Sequence, residues 1–154
     1  MTPTDTQPIR AMTAADIPNV VLLDALAGDA RWTEGQWTAE LAKPTAQCRV
    51  ATSATNGTPG IVGFAVGWVI RPELQIASIT VHPAFRRRGL GRQLLNALLQ
   101  EATRQGCHQS TLEVRAGNAP AQGLYRAAGF VPTGVRRDLY TQPKDDAILM
   151  EKTW

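Results

Sequence analysis

The sequence predicts an α+β domain with a mainly antiparallel sheet of about seven strands and four helices, and three observations carry that prediction. Strand-like runs come in neighbouring pairs separated by turn residues, which favours antiparallel pairing. The helical segments fall between strands, so they serve as crossovers packed on the sheet. The 154 residues, 44% hydrophobic and 19% charged, suit one folded domain with its own core. We therefore expect a single domain over residues 1–154, with residues 1–7 a flexible tail.

The first strand is expected over residues 8–12. Thr13 caps the next helix, whose apolar side is Ile17, Val20, Val21 and residues 23–26, with Pro18 tolerated in the first turn and Gly28 at the end. Thr33 and Gln36 stand at capping-box spacing and open a second helix that runs to about residue 43, before Pro44. Residues 49–53 and 61–70 flank Asn56-Gly57-Thr58-Pro59-Gly60, a turn signal, and read as a hairpin. After a turn at Arg71-Pro72-Glu73, residues 74–82 form a strand that Pro83 stops, having no N–H to give a ladder.

Beyond Gly89, the residues Leu90, Leu94, Leu98 and Ala102 recur every fourth position, and Leu95 and Leu99 widen the stripe. That is a long helix packed on one side, ended by Gly106. Residues 109–115 alternate, with Leu112 and Val114 on one face and Thr111, Glu113 and Arg115 on the other. Asn118 caps a last helix with Pro120 in its first turn, an apolar side of Ala121, Leu124, Tyr125 and Ala128, and Gly129 just past its end. Residues 130–135 and 147–152 close the sheet, joined by a polar segment over residues 136–146.

The charge distribution narrows the function. Lys and Arg number 16 against 13 Asp and Glu, and without Arg86, Arg87, Arg88 and Arg92 the remainder is 12 against 13. The positive excess thus sits in one loop, which suits a local anionic ligand better than a nucleic-acid face. Two cysteines without metal-like spacing argue for neither a disulfide framework nor a metal site, and the absence of a signal segment or a run of ~20 apolar residues predicts a cytoplasmic protein.

In that loop, Gly89 and Gly91 remove Cβ atoms from a helix start, where N–H groups without helical partners and the dipole favour an anion. A phosphate or pyrophosphate is the expected guest. The spacing Arg86-x-x-Gly89-x-Gly91 fits neither standard nucleotide loop. It resembles the pyrophosphate loop of the GNAT superfamily of acetyl-coenzyme A-dependent N-acyltransferases. Leu112-Glu113-Val114-Arg115-Ala116-Gly117-Asn118 and Leu124-Tyr125-Arg126-Ala127-Ala128-Gly129-Phe130 are similar to further GNAT segments, in particular those of RimI-type ribosomal-protein-alanine N-acetyltransferases. Trp32-Thr33-Glu34, Arg136-Arg137-Asp138-Leu139-Tyr140 and Asp145-Asp146-Ala147-Ile148 resemble that branch too, although Leu139 replaces its usual tyrosine and Gly117 its common serine.

The resemblance implies a sheet splayed at the cofactor-binding strand and places acetyl-coenzyme A against Ile79, Thr80, Val81, Arg87, Arg88, Gly89, Leu90, Gly91, Arg92 and Asn118. It makes Glu113 the general base and Tyr125 the general acid, and it sets Trp32, Trp37 and Tyr140 around the acceptor. The acceptor it implies is a protein N-terminal peptide, that of a ribosomal protein; from the residues themselves we expect no metal, no direct nucleic acid and no membrane, and a monomer or weak dimer. The chemistry agrees: an α-ammonium with a pKa of about 8 must lose a proton before attacking a thioester, and a phenol near 10 can protonate the leaving thiolate. On the residues alone other readings stay open. Glu113 could pair with Arg115 or a neighbouring strand, Tyr125 and the tryptophans could be core, and Asn118 a cap only. A small-molecule or lysine acetyltransferase and a non-catalytic coenzyme A-binding module are the rival functions.

Overall fold

The computed structural model describes residues 8–28, 31–53 and 60–154. The expected tail over residues 1–7 and most of the 56–60 turn lie outside the described residues. Within them the strands are β1 (Ile9–Ala11), β2 (Ala46–Ser53), β3 (Gly60–Ile70), β4 (Glu73–Val81), β5 (Gln109–Arg115), β6 (Val131–Thr141) and β7 (Lys144–Thr153). The α-helices are α1 (Ile17–Ala27), α2 (Glu34–Leu41), α3 (Leu90–Arg104) and α4 (Ala119–Ala127). Seven strands make one sheet in the order β1-β2-β3-β4-β5-β7-β6, antiparallel except where β4 and β5 run parallel.

Local chemistry sets most of the boundaries. Thr33 Oγ1 accepts from the Gln36 N–H at 3.1 Å while Gln36 Oε1 accepts from the Thr33 N–H at 2.8 Å, closing the box that starts α2. Asn118 Oδ1 accepts from the Ala121 N–H at 3.1 Å and starts α4. Ahead of α1, the Asp16 carboxylate takes the Thr13 N–H at 2.8 Å and is gripped by both terminal nitrogens of Arg10 at 2.6 and 2.8 Å. The Arg10 guanidinium holds that carboxyl down at about 2. α1 ends at Gly28, whose backbone is extended, and a Cβ there would collide with the buried Asp24 carboxylate.

The two faces of the sheet bury separate cores. One is covered by Leu90, Leu94, Leu95 and Leu98 of α3, by Tyr125 of α4 and by Ala128 just past its end, against Ala65, Leu74, Leu112, Val114 and Met150. The other is covered by Ile17, Val20 and Leu23 of α1 and Trp37 of α2, against Cys48, Val50, Phe64 and Val66. Burying a side chain of the Leu, Phe or Val class contributes about 1.5–3 kcal/mol, so alternation along β3 sends Phe64 and Val66 one way and Ala65 the other with little freedom to slip. Leu26, expected on the apolar side of α1, is instead exposed, as is Leu22, because residues 17, 20 and 23 define the buried stripe.

The last hairpin departs from expectation. The segment over residues 136–146, expected to be a connection, is the second half of β6, a tight turn and the start of β7. β6 is an edge strand, open on both sides over much of its length, so it carries no apolar alternation to read. Its register also breaks: Arg136 faces Ala147 and Tyr140 faces Asp145, so three residues bulge opposite Asp146, and Asp138 takes a φ of 57°.

Candidate active site

A fork between β4 and β5 is the centre of the site. The two strands pair from Glu73 with Gln109 to Ile76 with Leu112 and then part. On the β3 side Val66 faces Ser78 and Gly67 faces Ile76, so Ala77 is an unpaired bulge, a device that bends a strand away from its neighbour. Beyond the bulge the His82 N–H donates to the Val62 carbonyl at 2.8 Å, while Val81 pairs with Gly63. Backbone groups alternate sides along an antiparallel strand, so the Val81 and Ile79 amides point away from β3 and into the fork.

On the α3 side the fork opens into a cleft of about 570 Å³. Ile79, Thr80 and Val81 form one wall, Asn118, Pro120, Ala121 and Leu124 the other, and the loop residues 85–87 and 89–92 the end. Of the ten residues expected around the cofactor, Arg88 alone is not in these walls; its guanidinium lies 5.0 Å from the centre of the Phe85 ring. Ala27, Phe85, Arg86, Pro120, Ala121 and Leu124 line the cleft without having been named as contacts. Arg86 belongs to the glycine motif, and Ala121 and Leu124 share a helical face, so the signal for those three was present in the spacing.

The end of the cleft has the geometry of an anion site. The first bond of α3 runs from the Gln93 N–H to the Gly89 carbonyl, so the N–H groups of Leu90, Gly91 and Arg92 have no partner within the helix. Arg87 and Gly89 take φ values of 64° and 77°, a left-handed backbone that gathers successive N–H groups into a concave nest. Arg86 is tied back by its Nε to the Val81 carbonyl at 3.3 Å. Gly91 is where α3 comes close to α4 and β4: a Cβ would lie 3.3 Å from Leu124 Cδ2 and 3.8 Å from Val81 Cγ2.

Glu113 and Tyr125 stand on different sides of this cleft. Glu113 follows the last residue of β5 paired to β4 and points to the face opposite α3 and α4, since Leu112 and Val114 fill the core beneath those helices. Its side chain is 34% exposed, and Arg136 Nη1 donates to both carboxylate oxygens, at 2.9 and 3.2 Å. Its partner is therefore Arg136 on β6; the Arg115 guanidinium instead donates to the Pro143 and Gln142 carbonyls at 2.7 and 3.2 Å and lies 4.2 Å from the centre of the Tyr140 ring. Tyr125 is 6% exposed, packed edge-on against Phe130 at 5.8 Å, one residue past the cleft-lining Leu124. Burial, with the nearby Tyr140 adding to it, pushes the Tyr125 phenol up, so it keeps its proton at neutral pH.

The expected acceptor aromatics separate. Tyr140 and Trp32 are half-buried with surface to offer. Trp37 is fully buried between Trp32, at 4.6 Å, and Phe64, at 5.2 Å, so it presents nothing to a ligand and acts as a core side chain. Arg136 was not singled out for a role, because its contact with Glu113 depends on the β5-β7-β6 register rather than on any local spacing. Among the described residues no group of three His, Cys, Asp or Glu is gathered as for a metal, and no helix is long and apolar enough to cross a membrane.

The profile of the Acetyltransferase (GNAT) family matches residues 20–130. The N-alpha-acetyltransferase RimI of Mycobacterium tuberculosis is 37% identical over 156 residues, covering 96% of this chain and 94% of that protein. The putative [ribosomal protein bS18]-alanine N-acetyltransferase of Bacillus subtilis is 30% identical over 143 residues, 92% of each chain. Among solved structures, the ribosomal-protein-S18-alanine N-acetyltransferase from Escherichia coli superposes with a TM-score of 0.83 at 31% identity, covering 96% of this chain and 94% of that one.

Proposed function

Because the chain belongs to the GNAT acetyltransferase family, we propose that it transfers the acetyl group of acetyl-coenzyme A to the α-amine of a protein N-terminus, that of a ribosomal protein beginning with alanine. The observation that carries the reading is the two-sided fork: an anion nest and cleft on the α3 face, and a carboxylate at the strand end on the other. The names of the relatives supply the substrate. A cytoplasmic enzyme acting as a monomer or weak dimer fits that substrate.

In this mechanism the pyrophosphate of the cosubstrate sits on the free N–H groups of Leu90, Gly91 and Arg92, and the pantetheine arm lies along Ile79 and Val81 towards the fork. The peptide arrives from the opposite face, past Trp32 and Tyr140. Glu113 accepts a proton from the α-ammonium, directly or through a water. The neutral amine attacks the thioester carbonyl, whose developing oxyanion is met by the Val81 N–H aimed into the fork. The C–S bond then breaks, Tyr125 gives its proton to the thiolate, and the proton that the attacking nitrogen still carries is released to restore the phenol, leaving an amide and free coenzyme A.

The test is mass spectrometry of N-terminal peptides incubated with the protein and acetyl-coenzyme A. An acetyl group on the α-amine of an alanine-starting peptide is the expected product. Acetylation confined to lysine side chains or to small amines would replace this reading with a different GNAT substrate, and coenzyme A binding without turnover would replace it with a binding module.

A further inference from the structure

We infer that Arg136 is the residue that positions Glu113 for proton transfer, an inference that rests on Glu113 being the base. Glu113 stands where the backbone pairing of β4 and β5 has ended, and a third of its side chain meets solvent. Left to itself such a carboxylate would sample several rotamers. Arg136 removes that freedom. In the β5-β7-β6 register Arg115, Ala147 and Arg136 lie in one row across the sheet, and Glu113, Leu149 and Gly134 lie two residues along in the next row on the same face, so the long Arg136 side chain reaches Glu113 diagonally across β7. The strand between them is β7, where the small Ala147 stands in the Arg136 row, and Gly134 adds no side chain beside Arg136 on β6.

The form of the contact matters. A single nitrogen, Nη1, donates to both carboxylate oxygens. A carboxylate has about four lone-pair sites, so this grip fixes its plane and still leaves sites on each oxygen for an amine or a bridging water. A pair this exposed adds little to folding stability. Its effect is on geometry, and displacement of a catalytic group by about 1 Å is enough to cost on the order of 10²-fold in rate. The three-residue bulge that follows Arg136 gives the same strand a second task, turning Tyr140 back beneath Arg115 without disturbing the pairing of residue 136 with Ala147.

A double-mutant cycle tests this. With an alanine-starting peptide and acetyl-coenzyme A, Arg136→Ala should lower kcat about 10²-fold while leaving the KM for acetyl-coenzyme A and the melting temperature near those of the wild type. Arg136→Lys, which keeps the charge but not the planar donor, should recover part of the loss. Arg137→Ala, which removes the same charge one residue on, should change little. In a Glu113→Gln background Arg136→Ala should cost less than about 3-fold, because the group it positions is no longer a base. The inference is overturned if Arg136→Ala is near wild type while Glu113→Gln is slow, if Arg137→Ala is as damaging, or if the full loss recurs in the Glu113→Gln background. A fast Glu113→Gln enzyme would instead overturn the base assignment on which the inference stands.

Discussion

The two sides of the fork are built in different ways. The side proposed for the cosubstrate comes chiefly from one stretch, Ile79 to Arg92, in which strand, stop, glycine loop and helix start follow one another and produce the nest by local geometry alone. The side proposed for the acceptor brings Glu113 of β5 together with Arg136 and Tyr140 of β6, 23 and more residues on, and only the register of β5, β7 and β6 makes them neighbours. A site made of contiguous backbone resists side-chain loss but is sensitive to added bulk. A site made by register depends on each side chain in it.

The largest expected effect follows from that contrast. Glu113→Gln keeps shape and hydrogen bonding but removes the base, and it should lower kcat/KM by about 10² to 10⁴, roughly 3 to 5 kcal/mol of barrier, with coenzyme A affinity unchanged. Raising the pH should partly rescue it, because more of the amine is then already neutral. Tyr125→Phe, which lacks the proton donor, should show no such rescue. Rate profiles against pH for the three proteins check this, and a Glu113→Gln enzyme with near-normal rate at pH 7 would remove the distinction between the two sides.

Next in size is Gly91→Val. Its bulk meets Leu124 and Val81, so the cleft should narrow and coenzyme A affinity fall by about tenfold or more in calorimetry, with α3 still formed. Unchanged affinity would take the loop out of the site. Smaller again is Tyr140→Ala, which should raise the KM for peptide several-fold and leave that for acetyl-coenzyme A alone; an equal rise in both would make Tyr140 structural.

How much of this was legible in the sequence follows the same division. The glycine loop, the capping box at Thr33, the Asn118 cap and the stripe of α3 are read from neighbours within four residues, and each stands where the spacing puts it. The two closing strands were read from residues 130–135 and 147–152, but their continuation through residues 136–146 was not legible, because an exposed edge strand interrupted by a bulge leaves no period of two to detect. For the same reason Arg136 went unassigned. Trp37 shows the converse limit: a tryptophan near a loop gives no sign in the sequence of which side of the helix it takes, and here it faces Phe64 in the core.

The smallest expected effect lies away from both sides. Asp16 is held at about 2 by Arg10, against an unfolded value of about 3.9. A depressed carboxyl contributes stability that is complete above the unfolded value and is lost as pH falls from about 4 towards 2. Asp16→Asn should therefore lower the melting temperature by a few degrees at pH 7, about 1 kcal/mol, and by much less near pH 2. A constant difference across that range would place the effect in packing rather than charge.

The measurement that bears most directly on the two-sided fork is hydrogen exchange with coenzyme A and an N-terminal peptide added in turn. Coenzyme A should protect amides over residues 86–95 and 118–125 and leave residues 136–147 unchanged, and the peptide should then protect residues 136–147 without further effect on the loop. Protection of residues 136–147 by coenzyme A alone, or of the 86–92 loop by the peptide, would contradict the assignment of the two faces to two substrates.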